Sequence, residues 1–415
     1  MKNRRLFYGW TVILSAFAQM FVSSGSNAAA PIFFASVLKD LGWGRASISL
    51  AASINTAVVG VAMLVIGGLV DKHGPKTIIL AGLPLMGMST IALSGISQVW
   101  HLLLLYALLG LGFACTGLPS VSALVARWFY KKRGLAMGIC LTGFALGQLV
   151  VVPLSAYMIL LFGWRTAYVI LGGALLVTTL TMIPVRNDPA DMGCHPDGEP
   201  SPPKQGVTVD GVSLKDILVT QPFLLMMVVH FLCGFTDIPI TPGPCFALFT
   251  LDVGLSQMVA ATALGLMGGV MSLGTFVMGS ASDRFGRKKP LALIYLIRAL
   301  SLALIMGLSG TTPGLAMLLY AFSVMFGFSY FSMTPVVGAW IGDNYGQLSV
   351  GRISGVKSLL HSVGAAVGSQ FFGAVYDLHQ SYYWGFFTAM VLSLVASLCS
   401  LLLRERGALR KDRRP

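Results

Sequence analysis

Residues 67–76 read Gly67-Gly-Leu-Val-Asp71-Lys72-His-Gly74-Pro-Lys76, and 212 positions later the chain reads Gly279-Ser-Ala-Ser-Asp283-Arg284-Phe-Gly286-Arg-Lys288. Each copy is a charged turn between two apolar runs. A second motif, Asp40-Leu-Gly42, returns as Asp252-Val-Gly254 at the same offset. Two separate motifs in one register mark an internal duplication. A parallel repeat of apolar helices is a transporter plan, with the solute site near mid-membrane where the repeats meet.

Of the 415 residues, 55% are hydrophobic and 10% are charged, with a mean hydropathy of +0.79. Soluble domains carry about 25% charged residues, so a soluble fold is excluded. The net charge of +13 does not point to nucleic acid, which needs basic residues gathered on one solvent face. Here they come in short bursts between apolar runs. A helix needs about 20 mostly apolar residues to cross the hydrocarbon. Twelve runs of that kind lie near 9–34, 46–70, 77–97, 101–126, 134–162, 166–184, 221–250, 256–280, 290–309, 314–341, 350–377 and 381–403.

With a cytoplasmic N-terminus, 23 of the 28 Lys and Arg residues fall on the termini or in loops after even-numbered spans. That asymmetry predicts both chain ends in the cytoplasm of an inner (plasma) membrane protein. The basic start at Lys2, Arg4 and Arg5 leads into a run of spanning length with no small-residue cleavage site, so it is read as a first span. Residues 185–216, rich in Pro, Gly and Asp, form a solvated linker. The expected fold is an all-α membrane protein of twelve spans in two pseudo-symmetric six-helix bundles, 1–184 and 217–415, the second with a basic tail.

Six scattered cysteines show no CxxC pair, and neither nucleophile elbow, phosphate loop nor metal cluster is legible. No enzymatic activity, cofactor or metal is therefore expected. The partners expected are a small solute, a proton or counter-transported anion, and the bilayer.

The GxxxD(K/R)xGxK loop in both halves resembles the signature loop of the major facilitator superfamily, and the likeness covers the whole chain. The resemblance implies that the loop's acid and base latch the cytoplasmic gate, here Asp71 with Lys76 and Asp283 with Lys288. Four further stretches are similar to the monocarboxylate transporter and oxalate/formate antiporter branch: Tyr8-Gly9-Trp10, Gly42-Trp43-Gly-Arg45, Trp128-Phe-Tyr-Lys131-Lys132-Arg133-Gly134 and Gly163-Trp164-Arg165-Thr-Ala-Tyr168. That branch implies small organic anions. The oxalate/formate group has a span-eleven lysine six residues after a glycine, matched by Gly351 and Lys357. Two departures stand out. Ile32 follows Pro31 where monocarboxylate transporters carry a lysine, and residues 256–280 lack their span-eight Asp and Arg, against the proton-coupled lactate mechanism.

Charges inside a bilayer cost about 2.5–3.5 kcal/mol each on the insertion scale, so those retained there are functional candidates. Lys357 and His361 are i, i+4 on span eleven, with Gly364 and Gly368 on the same face. Lys357 is read as attracting an anion and His361 as contacting it or taking up a proton; a lysine snorkelling to headgroups and a packed histidine are the alternatives. Asp237 lies on a stripe with His230, Gly234 and Thr241, before Pro239, Pro242 and Pro244, which break the helix. It is read as exchanging protons or balancing a buried cation, with a purely structural ion pair as the alternative. Arg298, about nine residues into span nine and about 13 Å deep, either binds substrate or bonds to Asp237 or to carbonyls. Polar stripes add Asn27 on span one and Tyr330 on span ten as lining. Gly143 with Gly147 and Gly265 with Gly269 are small-xxx-small pairs on spans five and eight, which the superfamily resemblance implies meet in close contact across the halves.

The resulting expectation is a secondary transporter of a mono- or dicarboxylate, by proton symport or exchange. The competing reading is a carrier of neutral or cationic amphipathic compounds with Asp237 as its key charge.

Overall fold

The computed structural model describes residues 7–129, 132–198, 220–241, 243–345 and 350–403. The first half comprises α1 (Gly9–Ala28), α2 (Ala30–Leu41), α3 (Arg45–His73), α4 (Pro75–Ala92), α5 (Val99–Thr116), α6 (Leu118–Trp128) and α7 (Arg133–Met182). The second comprises α8 (Gln221–Asp237), α9 (Cys245–Asp252), α10 (Gln257–Phe285), α11 (Lys288–Met306), α12 (Leu315–Tyr330), α13 (Met333–Tyr345), α14 (Val350–His379) and α15 (Tyr383–Leu402). Most of the linker, 199–219, and the basic tail, 404–415, lie outside the described residues, as do Lys131 and Pro242.

Among the described residues, nine segments are long and apolar enough to cross a membrane. One of them, Leu135–Met182, is two crossings joined at Gly163, whose φ of 78° and ψ of 161° suit only glycine. Asp40 meets Trp164 and Arg165 at that bend, whereas Tyr8 bonds the Pro184 carbonyl at the far end of the same helix. The chain therefore reverses there. α8 with α9, and the more polar α14, supply the two remaining crossings, giving twelve.

Spans one, four, seven and ten are each interrupted: at Ala29, at Gly117, over Ile238–Pro244 and at Phe331–Ser332. Hydropathy expected continuous helices at three of these four places, because a break leaves the residues apolar. Only the prolines just beyond, Pro31, Pro119 and Pro335, betray them. These are the same two spans in each half. Gly74 and Gly286, equivalent in the duplicated loop, both sit at φ 82°, so the repeat holds in three dimensions.

The halves are also packed alike. A Cβ on Gly143 or Gly147 would press into the Phe17 or Phe21 carbonyl of α1, and one on Gly364 or Gly368 into the Phe231 or Phe235 carbonyl of α8. Small residues let these backbones touch where lipid removes the hydrophobic drive between helices. Gly265 and Gly269 face Leu149 and Pro153 of α7 across the halves, as expected. Gly143 and Gly147 instead serve contacts inside their own half, since the α7 face toward α10 is the Leu149 face. Gly147→Ala is expected to lower the melting temperature of the purified protein, overpacking costing about 1–3 kcal/mol. Gly173→Ala, where a Cβ meets nothing within 4 Å, leaves it unchanged or raised.

One hydrophobic core joins both halves, running from Ala28–Val37 and Val151–Ile159 to Cys245–Leu248 and Ala260–Met271. Three others belong to one half each: Val12 to Val185 and Ala62 to Ala114 in the first, Phe223 to Leu403 in the second. The joined core lies away from the face that carries residues 7 and 403. The halves thus share a core on the side opposite the chain ends, and each keeps its own toward the terminal face.

Candidate functional site

The helix breaks decide where the polar groups gather. A helix C-terminus leaves carbonyls without intrahelical partners and carries partial negative charge. α12 ends at Tyr330, and Arg298 of α11 donates from Nη2 to the Ser329 and Tyr330 carbonyls at 3.0 and 3.2 Å. α8 ends at Asp237, whose Oδ2 lies 3.5 Å from Arg298 Nη1. Arg298 thus ties together the two breaks of its half, and at 0% exposure it touches protein groups on every side. The bond to Asp237 and to carbonyls, one of the roles the sequence left open for it, is present.

His361 of α14 completes the cluster, its Nε2 at 3.4 Å from the same Asp237 oxygen. Its side chain is 22% exposed against 2% for Asp237. Lys357, about 6 Å nearer the terminal face at 1.5 Å per residue, is half-buried. Among the described residues no carboxylate reaches it. The cluster therefore carries one negative charge, from Asp237, against Arg298 and Lys357. Its balance is +1, or +2 with His361 protonated.

Cys233, read from sequence as a small hydrophobe, belongs to this cluster. Its thiol donates to Asp237 Oδ2 at 3.3 Å and accepts from Arg298 Nη1 at 3.1 Å. The available signal was its i, i+4 spacing from Asp237. Cys233, Asp237 and His361 place ligand atoms within 4.8 Å of one another, a donor set that would suit zinc. The guanidinium wedged against two of the three donors opposes a cation there. His230 is buried within electrostatic reach of Lys357 and His361, with Nδ1 at 2.9 Å from the Met226 carbonyl.

Tyr330 contributes its backbone oxygen, while its ring is buried and stacks on Phe326. Asn27 lies elsewhere, in a recess shared by the halves and lined by Asn55, Thr56, Tyr106, Ile238 and Gly243. On the terminal face, Lys76 Nζ donates to the Ile183 carbonyl at 2.7 Å. Asp283 takes Arg287 at 2.5 Å, and Arg287 also meets Asp343 at 2.9 Å. Those two acids hold the Arg287 guanidinium charged, its pKa raised against the opposing effect of burial. Lys288 opens α11, and Asp71 lies on the last turn of α3 with its side chain outside the described set.

The first half holds a neutral copy of this arrangement. Gln19 Nε2 donates to the carbonyl of Thr116, the last residue of α5, at 3.2 Å, as Arg298 does to Tyr330 at the end of α12. Met86, 212 positions before Arg298, lies against the same Thr116. In the register set by Phe17 and Phe231, Ser23 corresponds to Asp237. The charge is confined to one half.

The model of the Major Facilitator Superfamily matches residues 13–273 and 241–415. Monocarboxylate transporter 13 of Rattus norvegicus is 27% identical over 94% of this chain and 87% of its own. Monocarboxylate transporter 12 of Xenopus laevis is 27% identical over 95% and 88%. Among solved structures, a bacterial homolog of the human lysosomal transporter Spinster, inward-facing and unoccupied, superposes with a TM-score of 0.77 at 16% identity, covering 100% of this chain and 99% of the other.

Proposed function

Because the chain belongs to the Major Facilitator Superfamily, we propose that this membrane transporter carries a small organic anion, a mono- or dicarboxylate, by alternating access between its two halves. The observation that carries this reading is the charge balance. Arg298 and His361 both occupy Asp237, whereas Lys357 is a half-buried cation that no described carboxylate reaches. A carboxylate entering there replaces lost hydration with a charge-assisted bond to Lys357 and a second to His361. The names of the relatives, monocarboxylate transporters 13 and 12, support the same chemistry.

His361 and Asp237 then act as the proton-coupling pair. A proton held at His361, 3.4 Å from Asp237 Oδ2, raises the positive charge of the wall as the anion arrives. Loss of that proton weakens the site and favours release. Counter-transport of a second anion uses the same two contacts without the proton. With both chain ends in the cytoplasm of the plasma membrane, the face without the shared core is the one that opens inward. Closing it brings the loops of Asp71 and Lys76 and of Asp283 and Lys288 together as the inner latch.

Short carboxylates are expected to raise the melting temperature of the purified protein, a ligand at 100 times its dissociation constant adding about 2.7 kcal/mol. Their primary amides are expected to leave it unmoved. Stabilisation by cationic or neutral amphipathic compounds instead, with none from carboxylates, would replace this reading with the one in which Asp237 is the binding charge.

A further inference from the structure

The duplicated turns Asp40-Leu-Gly42 and Asp252-Val-Gly254 have like backbones, their glycines at φ 66° and 86°. Their aspartates nevertheless do different work. Asp40 accepts from Trp164 Nε1 at 3.0 Å and Arg165 Nη1 at 2.9 Å, both within its own half. Asp252 reaches across to the other half, where Arg45 grips it through two parallel bonds of 2.8 and 2.6 Å. The same guanidinium lies 3.7 Å above the Tyr376 ring and donates to Tyr382 Oη at 3.3 Å. Beside it, Gln257 of α10 donates across the halves to the Ile32 carbonyl and to Ser36 Oγ, at 3.0 and 2.9 Å.

We propose that Arg45 and Asp252 form a latch that holds the face opposite the chain ends shut and sets the balance between the two access states. This goes beyond the solute reading and does not depend on which solute is carried. Any movement that opens that face must part α3 from α9, because the two residues belong to different halves. It then breaks the fork, the ring stack and the Gln257 bonds together. An exposed ion pair would count for little in such a balance. This one is bidentate, its side chains are 15% and 31% exposed, and it is backed by an aromatic face, the setting in which charge pairs are strong. The hydrophobic core that joins the halves lies on this same side, so latch and core oppose opening together.

The test is the distance between spin labels at Lys39→Cys and Thr311→Cys, one on each half of this face. The full chain is placed in lipid nanodiscs, with the partly exposed Cys115, Cys194 and Cys399 changed to serine. The parent is expected to show a dominant short distance. Asp252→Asn and Arg45→Ala should raise the long-distance population about tenfold, a shift within the range of allosteric couplings. The exchange R45D with D252R should return it toward the parent. Asp40→Asn removes the same charge from the same motif and should change nothing. The latch is refuted if Asp252→Asn and Asp40→Asn both leave the distribution as it was, or if both shift it equally. Should the charge exchange fail to fold, the comparison of the two asparagine variants still decides.

Discussion

Lys357→Ala is expected to reduce carboxylate uptake into proteoliposomes by at least about a hundredfold in kcat/KM and to abolish the thermal shift by carboxylates. Truncating one partner of a buried, hydrogen-bonded charge pair costs about 2–5 kcal/mol, and Lys357 is the cation in this cluster that no described carboxylate engages. Lys357→Arg keeps the charge with a different geometry and should retain part of the activity. A lysine that merely snorkels to headgroups predicts the opposite pattern. In that case Lys357→Ala transports and binds like the parent, and the anion site must be sought elsewhere. Because Lys357 is half-buried and makes no ion pair among the described residues, its removal leaves no buried charge orphaned. The folded protein should survive, which keeps the measurement interpretable.

The Arg298–Asp237 pair behaves differently. Arg298→Met alone is expected to cost about 3–5 kcal/mol, because it strands a carboxylate that is 1% exposed with only His361 and a thiol to answer it. Replacing both charges at once, D237S with R298M, installs the residues found at the equivalent places of the first half, Ser23 and Met86. Exchanging a buried pair for neutral groups of suitable size is often neutral or stabilising. The double variant should therefore recover the melting temperature lost in Arg298→Met. It should still fail to accumulate carboxylate on a pH gradient, because His361 has lost the acid that holds it. A double variant as unstable as the single one would mean that the surrounding helices require the charges themselves. A stable one that accumulates carboxylate like the parent would remove Asp237 from the coupling role.

Much of the fold was legible because its signals are local. Twelve apolar runs, the duplicated loop and the biased placement of Lys and Arg are each read within a few tens of residues. The bundles followed from them, and the close packing of Gly265 and Gly269 on span five from their small-residue spacing together with the family resemblance. The breaks in spans one, four and ten were less visible, since hydropathy does not distinguish an intact helix from an interrupted one. At the site, the charged residues themselves could be listed in advance: a charge in hydrocarbon is costly wherever it is. Cys233 was missed because a cysteine in an apolar run costs nothing and announces nothing.

By itself, then, the amino-acid order determined an all-helical, twofold-repeated membrane protein and the short roster of charges it keeps in the bilayer. Tertiary structure decided which of those charges meet. Asp237 finds Arg298 61 residues away and His361 124 residues away, which turns three isolated candidates into one cluster and leaves Lys357 without an acidic partner among the described residues. It also decided that Asp40 serves its own half while Asp252 is seized by Arg45, 207 residues distant. The two turns are alike, but a side chain's partners come from whichever helices pack beside it. Only the arrangement of the halves brings Arg45 to one aspartate and Arg165 to the other.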